Sequence, residues 1–464
     1  MPTNAPARVI LEQLTAIVGG EWIRTDAASL AAYGQDALKQ PHRPDLVVIP
    51  ADTAQVAAVA RLCDETRTPL VPRGAGTGYT GGSVPLHGGV VLSLERMNRI
   101  LSIDELNLLA VVQPNVITGD LQRTVERVGL FYPPDPASLA ESAIGGNVAE
   151  CAGGPRAFKY GTTKRYVLAL EAVLPTGEVI RTGSQAVKNV VGYDLTQLIV
   201  GSEGTLAIVT EITLRLVPKP PVQATVRATF DSVAAAAGAV TALLRARVVP
   251  ASLELVDGVS LAAIARYLGT PLAPDGTGAL LLLEADGTGA AVEEELAHIE
   301  TACRESGATT LVRAQTPAER DEVWRVRREL SPALKTIAPG KLNNDVAVPR
   351  GRIPELFDLI ARLRAESGLP IPSFGHAGDG NIHVNVMIDK DIPGMEEKAH
   401  AAIREVFQAA LDLGGTMSGE HGVGLAKQPY IHLELKPEQV AAMQAIKKAL
   451  DPKNILNPGK MFPV

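Results

Sequence analysis

The sequence predicts an α+β protein built from two domains, and three observations lead there. A chain of 464 residues is longer than one ordinary hydrophobic core organises. Strand-like and helix-like stretches are interleaved with hairpin patterns rather than strict strand–helix–strand repetition. Glycine-rich loops crowd the chain up to about residue 220 and become sparse beyond it.

Composition narrows the function classes. Apolar residues are 46% and charged residues 20%, which suits a packed globular chain and argues against extended disorder. The 44 basic and 51 acidic residues give a formal charge of −7 with no basic run, so nucleic acid is not the expected partner. Aromatic content of 4% leaves little for stacking bases. Cys63, Cys151 and Cys303 are scattered, form no CxxC pair, and read as small buried residues in a reducing compartment. The opening MPTNAPARVILEQLTAIVGGEW lacks a basic stretch before a long apolar core and reads as a helix start, not a signal peptide. No apolar run approaches the ~20 residues that span a bilayer, so a cytoplasmic location is expected, with peripheral membrane attachment compatible.

The elements follow in order. Residues 7–17 have helical spacing that Gly19-Gly20 ends, within an N-terminal segment 1–41. LVVIP (46–50) reads as a strand, TAQVAAVARLCDE (53–65) as an amphipathic helix capped by Thr53, and TPLVPRG (68–74) as a second strand entering a glycine loop. GGVVLSLERMNRI (88–100) and LNLLAVVQPNV (106–116) read as strands, TGDLQRTVERVG (118–129) as a helix, and LALEAVLPTGEVIRTG (168–183) as a hairpin turning at Thr176-Gly177. TLAIVTEITLRLVPKP (205–220) alternates up to a proline-bounded break, closing a domain at 42–220. Residues 226–300 suggest strand, helix, strand and helix. Clear helices at 293–307 and 400–415 fall in or at the end of a second domain, 221–410, before a C-terminal segment 411–464.

Three loops carry the first functional signal. RGAGTGYTGG (73–82) exposes backbone N–H groups as a diphosphate cradle requires, yet matches neither GxxxxGK[ST] nor a good GxGxxG opening a long helix. SAIGGNVAECAGG (142–154) and GSEGTLAIVT (201–210) follow in the same domain. Together they suggest a large, flat, phosphorylated ligand held between backbone segments.

FGHAGDGNIHVNV (374–386) carries the second. His376 and His383 are seven residues apart, so on one uninterrupted strand they would face opposite sides. A turn at Gly378-Asp379-Gly380 could bring both imidazoles to one point. SGEHGVG (418–424) adds Glu420 and His421. Two imidazoles and a carboxylate with an open position suit a catalytic zinc-like ion, while turn-stabilising and core roles are the alternative reading. His42, His87, His298, His400 and His432 lack comparable settings.

These loops, with YPPDP (132–136), FKYGTTK (158–164), GHAGDGNIH and GEHGVG, resemble the FAD-linked oxidase and dehydrogenase family across roughly residues 40–462. Within it they are similar to D-lactate dehydrogenases, the glycolate oxidase flavoprotein subunit and D-2-hydroxyglutarate dehydrogenase. The resemblance implies a two-part FAD-binding domain of PCMH type, an α+β substrate or cap domain, and a C-terminal segment packing back toward the flavin domain. It implies that Arg73, Gly74, Ala75, Gly76, Thr77 and Gly81 meet the diphosphate. It also implies that Pro133, Ser142, Gly145, Gly146 and Asn147 line the flavin, continued by Gly154, Gly161, Glu203, Gly204 and Ile208. Relatives that bind flavin covalently often carry a histidine in the first loop; Ala75–Gly78 has none, so noncovalent FAD is expected.

The same resemblance implies His376, His383 and Glu420 as ligands of a divalent metal, Zn2+ or Mn2+. With Glu420 on the metal, His421 is the expected base for the substrate's hydroxyl proton, because imidazole exchanges a proton near neutral pH. In WRVRREL (324–330) the family's tryptophan-to-arginine spacing selects Arg327 for the substrate carboxylate, against the plainer reading of a charged helix face. Asn343 stands where some dicarboxylate-using relatives carry lysine, with Lys341 displaced by two residues, which weakens D-2-hydroxyglutarate. The expected activity is oxidation of a D-2-hydroxy acid by hydride transfer to flavin N5, with D-lactate first and glycolate or D-2-hydroxyglutarate as alternatives. Reoxidation by a quinone, cytochrome or electron-transfer flavoprotein is expected, and a homodimer is compatible. An oxygen-reducing oxidase of a sugar acid and a non-enzymatic flavin- or metal-binding subunit are the competing readings.

Overall fold

The computed structural model describes residues 5–462; residues 1–4 and 463–464, the extremities of the expected terminal segments, lie outside the described residues. The chain divides into two compact units. One comprises Met1–Ala152, Thr162–Lys219 and His421–Val464, and the other Gly153–Gly161 and Pro220–Glu420.

In the first unit, a four-stranded sheet runs in the order Ile23–Arg24, Leu46–Val48, Val90–Ser93, Leu70–Arg73. Its last three strands are parallel, as the connecting helix Thr53–Thr66 permits. That helix buries Val56, Val59, Ala60 and Cys63 against Leu46, Val48, Leu70 and Leu92. Its cap is Asp52, not Thr53: the Asp52 carboxylate accepts from the Gln55 N–H at 2.9 Å, while the Thr53 hydroxyl donates to Glu171. Asp52 has the extended backbone of a capping residue, which leaves Thr53 already inside the helix. Burial pushes the Cys63 thiol up to about 12, which makes it a packing group.

A five-stranded antiparallel sheet follows, ordered Ile100–Asp104, Leu109–Val112, Ile208–Arg215, Val167–Val173, Val179–Gly183. The expected strand at 88–100 is thus split between two sheets: Val90–Ser93 belongs to the first and Ile100 opens the second. Leu94 and Met97 stay buried between them, so hydropathy runs through the break. The hairpin turns where Gly177 takes φ 86° and donates to Leu174. Residues after His421 join this unit through a parallel bridge of Leu456 to Leu70 and a 2.8 Å bond from Asn457 N–H to the Leu70 carbonyl.

The second unit is built on a seven-stranded sheet. Its order is Thr310–Arg313, Val222–Phe230, Ala279–Gly287, Ser252–Asp257, Ser373–His376, Asn381–Ile388, Gly340–Ala347, antiparallel throughout. Helices Gly258–Leu268 and Pro317–Ala333 cover part of one face, packing Leu261, Ile264, Val326 and Leu330 on Val256, Leu280, Leu282, Phe374 and Met387. Alternate residues Leu253, Leu255, Leu281 and Leu283 point the other way and are equally buried. Helices Val233–Arg245, Gly289–Glu305, Ile353–Ser367 and Met395–Asp412 form a second packed group. Between 222 and 305 there are three strand–helix pairs where the sequence suggested two. Asp257 ends one strand and caps the next helix by accepting from Ser260 N–H at 2.8 Å, so no loop marks that junction.

Candidate flavin cradle and metal centre

In the first unit, the opening glycine loop leaves the strand Leu70–Arg73. Among the described residues, no backbone N–H from Gly74 to Gly78 donates to another protein group, which leaves five consecutive donors for a ligand. Such a row suits a diphosphate. Gly76 takes φ 72°, and a Cβ there would meet the Arg73 guanidinium at 2.1 Å. Arg73 itself donates to the Gln35 carbonyl at 2.8 Å and to Ser83. Gly81 is buried at φ 79°.

The second loop lies against the first: a Cβ on Gly74 would touch Ala143 and Gly146 at 3.5 and 3.6 Å. Ser142 shares a hydroxyl bond with Thr118, which also accepts from the Asn147 amide at 2.7 Å. Gly145 donates to Pro114, and a Cβ there would clash with that proline at 2.6 Å. Pro133 is buried. Among the expected cradle residues, Gly154 and Gly161 belong to the segment counted with the second unit.

In the third loop, Glu203 has φ 53° and its two carboxylate oxygens accept from the Val423 and Gly424 N–H groups, each at 2.7 Å. Burial pushes its carboxyl up, while those donors and the charges of Lys427 and Lys460 oppose the shift. The carboxylate therefore secures the loop just after His421. The neighbouring Gly204 takes φ 64° with Pro72 close by, and Ile208 packs its side chain in the core. Asn457 ties the first loop to the third by donating to the Gly82 and Glu203 carbonyls at 2.7 and 2.9 Å. Asn457 and Lys460 went unnoticed in the sequence, where they sit in an ordinary-looking turn. His421 is half-buried, with its ring centroid 5.3 Å from that of Tyr79.

In the second unit, His376 and His383 stand on the two strands of a hairpin turning at 377–380. His376 pairs with Asn381 across the ladder, so Asn381, and His383 two residues on, share its face. Gly380, at φ 81°, would place a Cβ 1.9 Å from the Val348 carbonyl, so the turn admits no side chain there. Glu420 is delivered by a loop fastened to the edge strand. The Asp345 carboxylate accepts from Glu420 N–H at 2.7 Å, and its carbonyl accepts from Gly419 N–H at 2.9 Å.

The resulting cluster has its ligand atoms within 4.8 Å of one another. Glu420 Oε1 is 3.4 Å from Nε2 of His376 and 3.4 Å from Nε2 of His383. Two ligands about 2.1 Å from a tetrahedral zinc are separated by about 3.4 Å, so the three residues fit a divalent ion. His376 Nδ1 lies 2.5 Å from Glu254 Oε1, the carboxylate–imidazole arrangement that orients metal-binding histidines. Burial opposes charge on His376, but Glu254 and Glu420 raise its pKa. Burial likewise works against Glu254, whose carboxyl is nevertheless held low by His376 and Arg327.

Arg327 points inward on the helix Pro317–Ala333, its Nε donating to Glu254 Oε2 at 2.6 Å and its guanidinium 5.1 Å from the Phe374 ring centre. Its side chain is 10% exposed, against 42% for Arg325 and 50% for Arg328, which pair with Glu322 and Asp321. Trp324, one turn earlier on the same side, donates to Glu284 and Thr225. Asn343 pairs with Asn385 across the sheet, and the amide oxygens of Asn343, Asn381 and Asn385 are buried with no hydrogen-bond partner, as is Asp379 Oδ2. Buried orphan acceptors concentrated around one cluster fit a site made for a polar ligand. Lys341, on the same face as Asn343, donates to Ser331, and burial first and then Lys335 depress its pKa to about 8. Glu254, Asp345 and Asn385 were not among the residues singled out from sequence, and Asp379 was read only as part of the turn. An acid inside an otherwise buried strand, as in SLELVD, is the signal that marks Glu254.

Two family models match the chain, and the second runs on past Glu420 into residues that pack with the first unit. Residues 44–183 match the FAD binding domain and residues 219–461 the FAD linked oxidases, C-terminal domain. The chain is 44% identical over 454 residues to glycolate oxidase subunit GlcD of Bacillus subtilis (strain 168), covering 98% of this chain and 96% of that protein. It is 37% identical over 470 residues to a D-lactate dehydrogenase of Anaerostipes hadrus, covering 98% and 95% respectively. The fold is that of p-cresol methylhydroxylase with substrate bound, at a TM-score of 0.82 and 21% identity over 99% of this chain and 97% of that one. Among the described residues no helix is long and apolar enough to cross a membrane. The FAD match, the PCMH-type α+β fold and the full-length relatives agree: this chain belongs to the FAD-linked oxidase family and is an FAD-dependent oxidoreductase related to the glycolate oxidase and D-lactate dehydrogenase group.

Proposed function

We propose that this enzyme oxidises a small 2-hydroxy acid to the 2-oxo acid, with glycolate as the leading substrate and D-lactate second. Full-length relatives named glycolate oxidase subunit at 44% and 37% identity support placing glycolate ahead of the D-lactate favoured by sequence reading. The single observation that carries the chemistry is the His376, His383 and Glu420 cluster linked through Glu254 to an inward-facing arginine. A Lewis-acid position beside a cation suits adjacent hydroxyl and carboxylate groups. When bound, FAD accepts the C2 hydrogen as hydride and a divalent ion, Zn2+ or Mn2+, acidifies the hydroxyl. Arg327 holds the carboxylate through its fork. His421, next in the chain to Glu420, takes the hydroxyl proton. The five unpaired N–H groups of Gly74–Gly78 hold the cofactor diphosphate without a covalent bond. Electrons leave to a quinone, cytochrome or electron-transfer flavoprotein, and the word subunit in the relatives' names supports a protein partner.

Anaerobic stopped-flow mixing with glycolate, D-lactate, L-lactate and D-2-hydroxyglutarate tests this reading. Flavin bleaching by glycolate and by D-lactate, faster than by L-lactate, is expected. Bleaching by none of them rejects the assignment, and rapid peroxide release on adding oxygen favours the oxidase alternative.

Arg327→Ala is expected to raise the half-saturating acid concentration about 10- to 150-fold, the worth of roughly 1.5–3 kcal/mol for a charge-assisted bond. Arg325→Ala and Arg328→Ala, at outward positions, are expected to change it little. Equal small effects at all three sites would show that Arg327 serves only its pairing with Glu254 and does not bind the substrate carboxylate.

A further inference from the structure

We propose that Glu254 is a positioning residue that sets the metal-ligand geometry of His376 and the orientation of the carboxylate-binding Arg327 through its two oxygens at once. The proposal rests on the roles assigned above to those two residues. The Glu254 side chain is 0% exposed, with Oε1 2.5 Å from His376 Nδ1 and Oε2 2.6 Å from Arg327 Nε. The sheet register makes this bridge: Glu254 lies directly opposite His376 on the neighbouring strand, and the helix above brings Arg327 down onto the same face.

Each contact has a definite chemical consequence. An acceptor at Nδ1 keeps the proton there and turns the Nε2 lone pair toward Glu420 and His383. A bond at Nε fixes the guanidinium plane and leaves its two Nη groups as the edge that can fork onto a carboxylate. Among the described residues, those Nη groups have no hydrogen-bond partner in the protein, while the Phe374 ring lies against the guanidinium. One rigid carboxylate thereby sets the separation between the Lewis-acid position and the anion-binding position. Adjacent hydroxyl and carboxylate groups require a short separation of this kind. Glutamine has one acceptor and one NH2 donor, so it can serve only one of the two N–H partners. Aspartate keeps the charge but is one methylene too short to span both.

The test uses full-length, FAD-loaded protein stripped of metal by chelation, comparing wild type, Glu254→Gln, Glu254→Asp and His376→Ala. Zinc affinity is measured by competition with a chromophoric chelator, and oxalate affinity of the metal-free protein by titration calorimetry. Glu254→Gln is expected to bind zinc 10- to 100-fold more weakly than wild type. It is also expected to bind oxalate more weakly, although removing a negative charge would by itself tighten an anion. Glu254→Asp is expected to lose at least one of the two affinities, and it carries the same readouts should the glutamine variant fail to retain FAD. Zinc affinity within twofold of wild type overturns the proposal, and so does oxalate binding that is unchanged or tighter. A wild-type protein that binds no zinc, or a His376→Ala variant that binds it equally well, counts against the metal assignment itself.

Discussion

His421→Asn is expected to slow flavin reduction by roughly 10²–10⁴ at saturating hydroxy acid, while FAD and metal are retained. Imidazole can accept the hydroxyl proton as the hydrogen leaves C2, and an amide of similar size cannot. FAD should remain because the row of backbone donors at Gly74–Gly78 does not involve the His421 ring. The loop itself should keep its shape, since the Glu203 carboxylate holds the Val423 and Gly424 N–H groups independently of residue 421. The measurement is the reductive half-reaction at saturating substrate with metal content confirmed. Near-wild-type reduction in a fully metallated variant would sink the assignment and leave ionisation of the hydroxyl to the metal alone.

Alanine at His376, His383 or Glu420 should each lower metal affinity by at least about 10²-fold, more than the loss expected for an outer partner such as Glu254. The three ligand atoms lie within 4.8 Å of one another, and a catalytic zinc takes three protein ligands, so a remaining pair holds it more weakly. Elemental analysis beside the flavin spectrum separates this effect from cofactor loss, because the glycine loops at 73–82 and 201–210 belong to the other unit. Full metal occupancy in all three variants would show that the cluster is a hydrogen-bonded core feature.

The order of these effects reflects how each group is held. Glu420 depends on Asp345 through the backbone, so Glu420→Ala removes a ligand without removing the Asp345 anchor. His376 is different. Its loss also leaves Glu254 buried with only Arg327, and a stability cost accompanies the metal effect.

The sequence by itself determined the α+β class, the FAD family and the glycine loops, because these are written in contiguous residues. A loop such as RGAGTGYTGG specifies its backbone locally, through residues with no Cβ. The hairpin at His376 and His383 is of the same kind: a four-residue turn converts an odd spacing into a shared face. The family's tryptophan-to-arginine spacing already selected Arg327 in WRVRREL, but tertiary structure supplied the reason it turns inward, since the packing of Trp324 and Phe374 orients the helix. Tertiary structure alone decided that Glu254 joins His376 and Arg327, which lie 122 and 73 residues away along the chain. Strand register brings such partners together, and register depends on the whole sheet rather than on any one segment.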